Sequence, residues 1–261
     1  MGSFTNFLED EVLDHILKTG EYTPPATIYL ALFTGDPGEA GSVAAEATYT
    51  GYERAAIAFG AASGRSITQS GQVNFPAASG GSSVVTHWGL MLTGTKTTSD
   101  MMAYGAFTAS KTITAGYQPF VATTEVVVTM SAGGISTAFA TTLLDWLFRA
   151  QALAFPTTIQ VALFSAVCSD AAAGTELIVG TSPGYARTTC NVWDPTSQVP
   201  GTSENTSAIT FPVATGDWLE AVHAAIYIDA VYALWLDINN LTVLDAEYAR
   251  FIAGALDITL G

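Results

Sequence analysis

The sequence predicts a mainly β protein made of two tandem, jelly-roll-like β-sandwich units, each preceded by an N-terminal α-helix. Three observations predict it. The chain repeats itself at about half its 261-residue length, each half opens with an amphipathic helical stripe, and each half continues as short strand-like runs divided by Gly, Pro, Ser and Asp clusters. Pro25-Ala-Thr-Ile28-Tyr-Leu30-Ala31-Leu32-Phe33 returns as Pro156-Thr-Thr-Ile159-Gln-Val161-Ala162-Leu163-Phe164, a shift of 131 positions. Val12-Leu13-Asp14-His15-Ile16-Leu17-Lys18 returns at the same shift as Leu143-Leu144-Asp145-Trp146-Leu147-Phe148-Arg149. Gly51-Tyr52-Glu53-Arg54 answers to Gly184-Tyr185-Ala186-Arg187, Val73-Asn74-Phe75-Pro76-Ala77 to Ile209-Thr210-Phe211-Pro212-Val213, His87 to His223, and Tyr117-Gln-Pro-Phe120 to Tyr248-Ala-Arg-Phe251. This divides the chain into a first unit, 1–132, and a second, diverged copy, 135–261, with a short Gly-containing joint at 131–134.

Each element follows from local pattern. In the first helix Phe4, Phe7, Leu8, Val12, Ile16 and Leu17 fall on one side, and Glu9, Asp10, Asp14 and Lys18 on the other. Ser3 is the expected cap, and Gly20 with Pro24-Pro25 stops the helix. Phe7, Leu8, Val12 and Ile16 form the candidate stripe, either for the core or for docking. The second helix repeats this with Ser136 or Thr137 as cap, Phe139, Leu143, Leu144, Leu147 and Phe148 as stripe, and Pro156 as stop. Strands are expected in the first unit at 28–33, 55–59, 71–75, 84–92, 102–107 and 121–130, rich in Val, Ile, Thr and aromatics. That many short strands in one small unit read as a sandwich with the helix laid over one edge or face.

Composition narrows the function classes. Eight Lys and Arg stand against 23 Asp and Glu, a net charge of -15, and 49% of residues are hydrophobic. The apolar fraction supports a core. The few basic residues are scattered, so no nucleic-acid partner is expected, and an anionic membrane surface would repel the chain. No stretch approaches the roughly 18 consecutive apolar residues of a membrane span. The N-terminus lacks a basic segment followed by an apolar run, so a soluble protein made in a cytoplasm is expected. Cys168 and Cys190 define neither a disulfide framework nor a zinc site and are expected to be reduced thiols.

Chemistry-bearing patterns are sparse. His87 and His223 occupy the same position in the two copies and read either as a general base or as a strand residue satisfied by a neighbouring loop. No Ser, Cys or acid recurs beside both to complete a relay. The Arg of the Gly-Tyr-x-Arg pair reads either a ligand carboxylate or one of the chain's own acids, its stem covering apolar surface. Asp14/Asp145 is the one acid pair the repeat aligns clearly, a single group on a helix flank. The loop Gly35-Asp36-Pro37-Gly38-Glu39 lacks the dense oxygen ligands of a dedicated calcium site. Gly80-Gly81 is a Ser-rich turn and no phosphate loop. Asn205-Thr-Ser207 and Asn240-Leu-Thr242 match the glycosylation pattern without a secretion signal to support it. The expectation is a protein with no catalytic residues, metal or cofactor.

The motifs Phe7-Leu8-Glu9-x-x-Val12-Leu13-Asp14-His15-Ile16-Leu17, Tyr22-Thr23-Pro24-Pro25-Ala26, Ile28 through Gly38, Gly51-Tyr52-x-Arg54, Val73-x-Phe75-Pro76-Ala77, Val85 through Leu90, and Tyr104 through Ile113 stand in this order. Together they resemble a family of small virion structural proteins of tailed bacteriophages. Members are often labelled tail-fibre or minor structural proteins, and some are similar to capsid cement or decoration proteins. The resemblance covers nearly all of the first unit. Usual members are one unit long, so the tandem arrangement is a departure, and the second unit loses the Asp-Pro-Gly loop and turns His87-Trp88-Gly89 into His223-Ala224-Ala225. It implies a virion protein on the outer capsid surface, cementing neighbouring major capsid subunits and forming a homo-oligomer on the particle. A tail or tail-fibre component is the alternative. From another class, a carbohydrate-binding or carbohydrate-active sandwich would use Trp88, Trp193 or Trp218 as a platform.

Overall fold

The computed structural model describes residues 2–96, 100–194 and 199–260, so Met1 and Gly261, the outermost positions of the two expected units, lie outside the described residues. The first unit runs β1 (Gly2–Phe4), α1 (Asn6–Ile16), β2 (Ile28–Phe33), β3 (Ala55–Ile57), β4 (Ser66–Thr68), β5 (Val73–Asn74), β6 (Ser82–Met91), β7 (Met101–Thr114), β8 (Phe120–Val121) and β9 (Val127–Thr129). The second runs α2 (Thr137–Arg149), β10 (Ile159–Phe164), β11 (Thr188–Thr189), β12 (Thr202–Glu204), β13 (Ile209–Thr210), β14 (Ala221–Ile228), β15 (Val231–Leu241), β16 (Arg250–Phe251) and β17 (Asp257–Thr259). The pairings repeat: β3-β2-β6-β7 answers to β11-β10-β14-β15, β5-β8 to β13-β16, and β4-β9 to β12-β17. The fold is therefore mainly β and made of two tandem β units with one strand order.

Within a unit the layers share one core. Leu30, Leu32, Trp88 and Leu90 of β2 and β6 pack in the same cluster as Ile67, Val73, Val121 and Val128 of the short strands. The opposite face of β2 is covered too: Ala31 and Phe33 pack with Met91 and Met101, under Val43 and Ala45 of the loop that follows. This double burial explains why 28–33 reads as an unbroken apolar run rather than an alternating one. In the first unit β1 lies antiparallel to β7 and parallel to β9, joining seven strands into one curled sheet. In the second, the same position shrinks to an isolated bridge, Ile135 to Leu234, which matches the Phe4–Ala103 pair at a shift of 131.

Several local expectations change. The first helix is capped by Thr5, not Ser3: its Oγ1 accepts from Leu8 N, while Ser3 and Phe4 belong to β1. It ends at Ile16 with Lys18 at positive φ, before Gly20 is reached, and α2 ends at Arg149 with Ala150 left-handed, before Pro156. The expected strand over 121–130 splits into β8 and β9 around Thr124 at φ 73°, and β4 is a further strand. The Tyr117–Phe120 match also slips by one. Asn74 pairs with Phe120 while Thr210 pairs with Arg250, because the irregular stretch between Ala106 and Lys111 of β7 is one residue shorter between Asp237 and Leu241 of β15.

The helices do not lie over an outer edge. Each packs against its own unit and the other one: α1 against β7 and β12, α2 against β15 and β4. Since β12 and β4 are equivalent strands, the exchange is reciprocal, which is the mark of an isologous, two-fold-like pairing. Across it His15 and Trp146, equivalent positions on the two helices, meet with ring centroids 4.4 Å apart and planes tilted by 36°. The helical stripes are apolar because two units, not one, close over them.

Candidate functional site

The candidate stripe falls inside this junction. Leu8, Val12 and Ile16 are fully buried, and Phe7 is half-buried, edge-on to Tyr22 at 6.4 Å. Polar contacts cross the junction as well. Asp145 Oδ1 accepts from Ala62 N at 2.9 Å, Asp10 Oδ1 accepts from Gly201 N at 2.6 Å, and Lys18 Nζ donates to Thr157 O at 2.7 Å. Gly133 and Gly134 both have positive φ, which suits glycine. Their backbone is held by Asp170 Oδ2, which accepts from Gly133 N, and by Trp235 N, which donates to Gly134 O. The joint is thus pinned to the second unit.

Both Gly-Tyr-x-Arg motifs build the same internal network. In the first unit Arg54 Nε and Nη2 donate to Glu46 at 2.9 and 3.0 Å, Tyr52 Oη donates to Glu46 Oε1 at 3.0 Å, and Leu32 N donates to Tyr52 Oη. In the second, Arg187 donates to Glu176 at 2.7 and 2.6 Å, and Tyr185 bridges Glu176 and Leu163 N. Burial, with Glu46 or Glu176 beside the ring, raises both phenol pKa values. Glu46 and Glu176 are therefore a second recurring acid pair, which the sequence reading missed because they lie in loops of unlike composition. The one available signal was position, an acid soon after equivalent strands β2 and β10. Here the guanidinium answers an internal acid.

Most other singled-out residues are buried or have structural partners. Cys168 N donates to His223 Nδ1 at 3.2 Å, and His223 Nε2 lies 2.8 Å from the Asp237 carboxylate; His87 Nδ1 instead meets Thr86 Oγ1 at 2.8 Å. The equivalent histidines thus have unlike partners. Cys168 and Cys190 are free, buried thiols with pKa values pushed up by burial. Trp88, Trp193 and Trp218 are all buried, so none offers a ring face to a sugar. Asn205 is buried and its side chain bonds Ser207 O, Ile252 O and Leu256 N. Asp36 Oδ1 accepts from Gly38 N and closes the turn of the Asp-Pro-Gly loop. Asn240 is exposed near the end of β15. No helix among the described residues is long and apolar enough to cross a membrane.

Among the features of the described residues that are open to ligands or partners, two bear on recognition. One is a cavity of about 260 Å³ where β1 and the end of β9 meet the joint, β15 and β17. Glu9 lines it, 6% exposed, with no hydrogen bond or ion pair to its carboxylate among the described residues. Burial, then Glu39, then Asp10 raise its pKa to about 7. The other is a set of exposed apolar side chains in the second unit's tip loops, including Ile178, Val179, Val213, Leu219 and Leu244. Those loops are tied together by Thr215 N to Pro183 O, Trp218 N to Val243 O and Ala214 N to Glu247 O. Such an arrangement supports docking chemistry: apolar contact at a tip and charge recognition at the junction.

No curated protein matches the chain. A family model, described as podophage GP4 fiber I protein gp80, matches residues 3–129 and again residues 134–259. One unit, matched twice over nearly the whole length, places the chain in the family of the podophage GP4 fiber I protein gp80, as a tandem-duplicated bacteriophage virion structural protein.

Proposed function

We propose that this protein is a non-catalytic structural element of a phage tail fibre, acting by docking onto neighbouring virion proteins. The observation that carries it is the family match of both units to a protein named for a fibre. Three features support docking over catalysis. The recurrent Arg-Glu-Tyr sets are used up internally, the equivalent histidines have unlike partners, and the second unit exposes apolar tip loops. With a net charge of -15, the chain suits protein partners rather than packaged nucleic acid.

A second reading is a capsid cement that bridges major capsid subunits and forms homo-oligomers on the shell. It is favoured by one chain carrying two units with equivalent strand pairings, which can reach two neighbouring subunits. Gold-labelled antibody on intact virions separates the two. Label confined to the tail is the expected result; label spread over the head would overturn the fibre assignment and establish the cement reading.

A further inference from the structure

The two halves of the junction are equivalent in backbone and unlike in charge. Position 65, at the entrance to β4, is an arginine; its equivalent at the entrance to β12 is Gly201, as Met130 N to Arg65 O matches Leu260 N to Gly201 O. Arg65 fills its side of the junction. Its guanidinium donates to Met130 O, Ser131 O and Ile135 O and pairs with Asp170 at 3.3 Å. By the repeat, the helix position on this side is Ala140, which needs no counter-ion.

On the other side the helix residue is Glu9, 131 positions before Ala140, and its strand partner Gly201 has no side chain. The carboxylate lies so close that a Cβ at Gly201 would meet Glu9 Oε2 at 2.6 Å. The charge on this side has no answer among the described residues. Glu9 opens into the 260 Å³ cavity, whose other charged lining residues are Glu39 and Asp257, both acids. Its apolar walls include Phe4, Ile135, Ile258 and Leu260.

We propose that this cavity receives an arginine side chain of a neighbouring virion protein, with the Glu9 carboxylate as its counter-ion. The partner class rests on the virion reading above; the chemistry of the occupant rests on the cavity. In its ionised form, an unpaired acid that is nine-tenths buried calls for a cation. The apolar walls suit a methylene stem, and the guanidinium keeps its charge when desolvated, whereas an ammonium gives up its proton more readily. Arg65 shows that the same kind of junction accepts a guanidinium against backbone carbonyls.

The test uses the intact chain and free amino-acid amides, so it does not depend on where the protein lies in the virion. N-acetyl-arginine amide, its neutral isostere N-acetyl-citrulline amide, and calcium are titrated separately into labelled protein at pH 8. Amide NMR signals of Gly133, Gly134 and Thr259 are followed. The expected result is a saturable shift with the arginine probe alone, weakened about tenfold or more in Glu9→Gln. The same titration at pH 5.5 should be weak, because Glu9 is then protonated; Asp10, Glu39 and Asp257 are the other charged groups facing it. An equal response to citrulline, no saturable response to arginine at pH 8, or an unchanged response in the variant would overturn the proposal. A shift with calcium in place of arginine would do so as well. The citrulline comparison on the unaltered protein keeps the test decisive should the variant fold poorly. If arginine binds while virion labelling fails, the cavity stands and the partner class falls.

Discussion

At the scale of single residues, the least settled group is Glu9. Its carboxyl pKa is raised from 4.5 to about 7, first by burial and then by Glu39 and Asp10. The folded state therefore holds a proton that the unfolded chain has already lost, so the folded state binds more protons in that window. Stability falls as pH rises from about 4.5 to about 7 and is level above it. Glu9→Gln cannot ionise and should lose this part of the pH profile. At pH 8 it should be more stable than the parent by about 1–2 kcal/mol, the full shift being discounted for water reaching the cavity. Urea midpoints of both proteins at pH 5 and pH 8 check this, because every other group titrates in both. Parallel profiles would show that Glu9 ionises at its ordinary pH. None of this was legible in the sequence, where Glu9 reads as one more acid on the polar side of a helix. Its burial comes from the other unit, which closes over that side.

At the scale of elements, the paired strands explain how the copies diverged while keeping one topology. Trp88 on β6 stands opposite Gly105 on β7, and a Cβ at Gly105 or at Gly2 would meet the indole at 2.5 or 2.2 Å. At the same pair in the second unit Ala224 stands opposite Leu236. Large and small have changed places across the ladder, so the bulk at this pair comes from the opposite strand. Trp88→Ala should cost about 3–5 kcal/mol, as truncation of a buried aromatic does. Adding Gly105→Leu should restore about 1–2 kcal/mol of that by refilling the space, whereas Gly105→Leu alone should be strongly destabilising because the indole is still there. A double-mutant cycle by thermal melting reads the coupling, and additive losses would remove the swap. The main strands were legible because β2 and β10 are apolar on both faces and β6 and β7 are long. β1 and β4 were not, since Gly-Ser-Phe and Ser-Ile-Thr carry no period and become strands only through partners distant in sequence. The tryptophans looked like a platform for the same reason: sequence shows their number, and only packing shows that they are core.

At the scale of the whole molecule, the reciprocal docking of α1 on β12 and α2 on β4 means that the junction resembles a dimer interface held within one chain. The duplication was legible in the repeat, but the side on which the helices pack was not. A helical stripe states that a partner surface exists and is silent about which unit supplies it. Because Leu8, Val12, Leu13 and Ile16 of α1 and Leu143, Leu144 and Leu147 of α2 are all buried and each helix packs against both units, separating the units would uncover apolar surface on both helices. The link at 131–134 then contributes mainly effective concentration. A chain with a protease site inserted between Ala132 and Gly133 should, once cut, still elute from gel filtration as one species of unchanged size. Its melting temperature should now depend on protein concentration, since unfolding has become a two-chain event. Cut halves that elute separately and remain folded would show two independent domains joined by a tether. Cut halves that stay together with a concentration-independent melting temperature would show that each unit unfolds without its partner, which the buried helical stripes forbid.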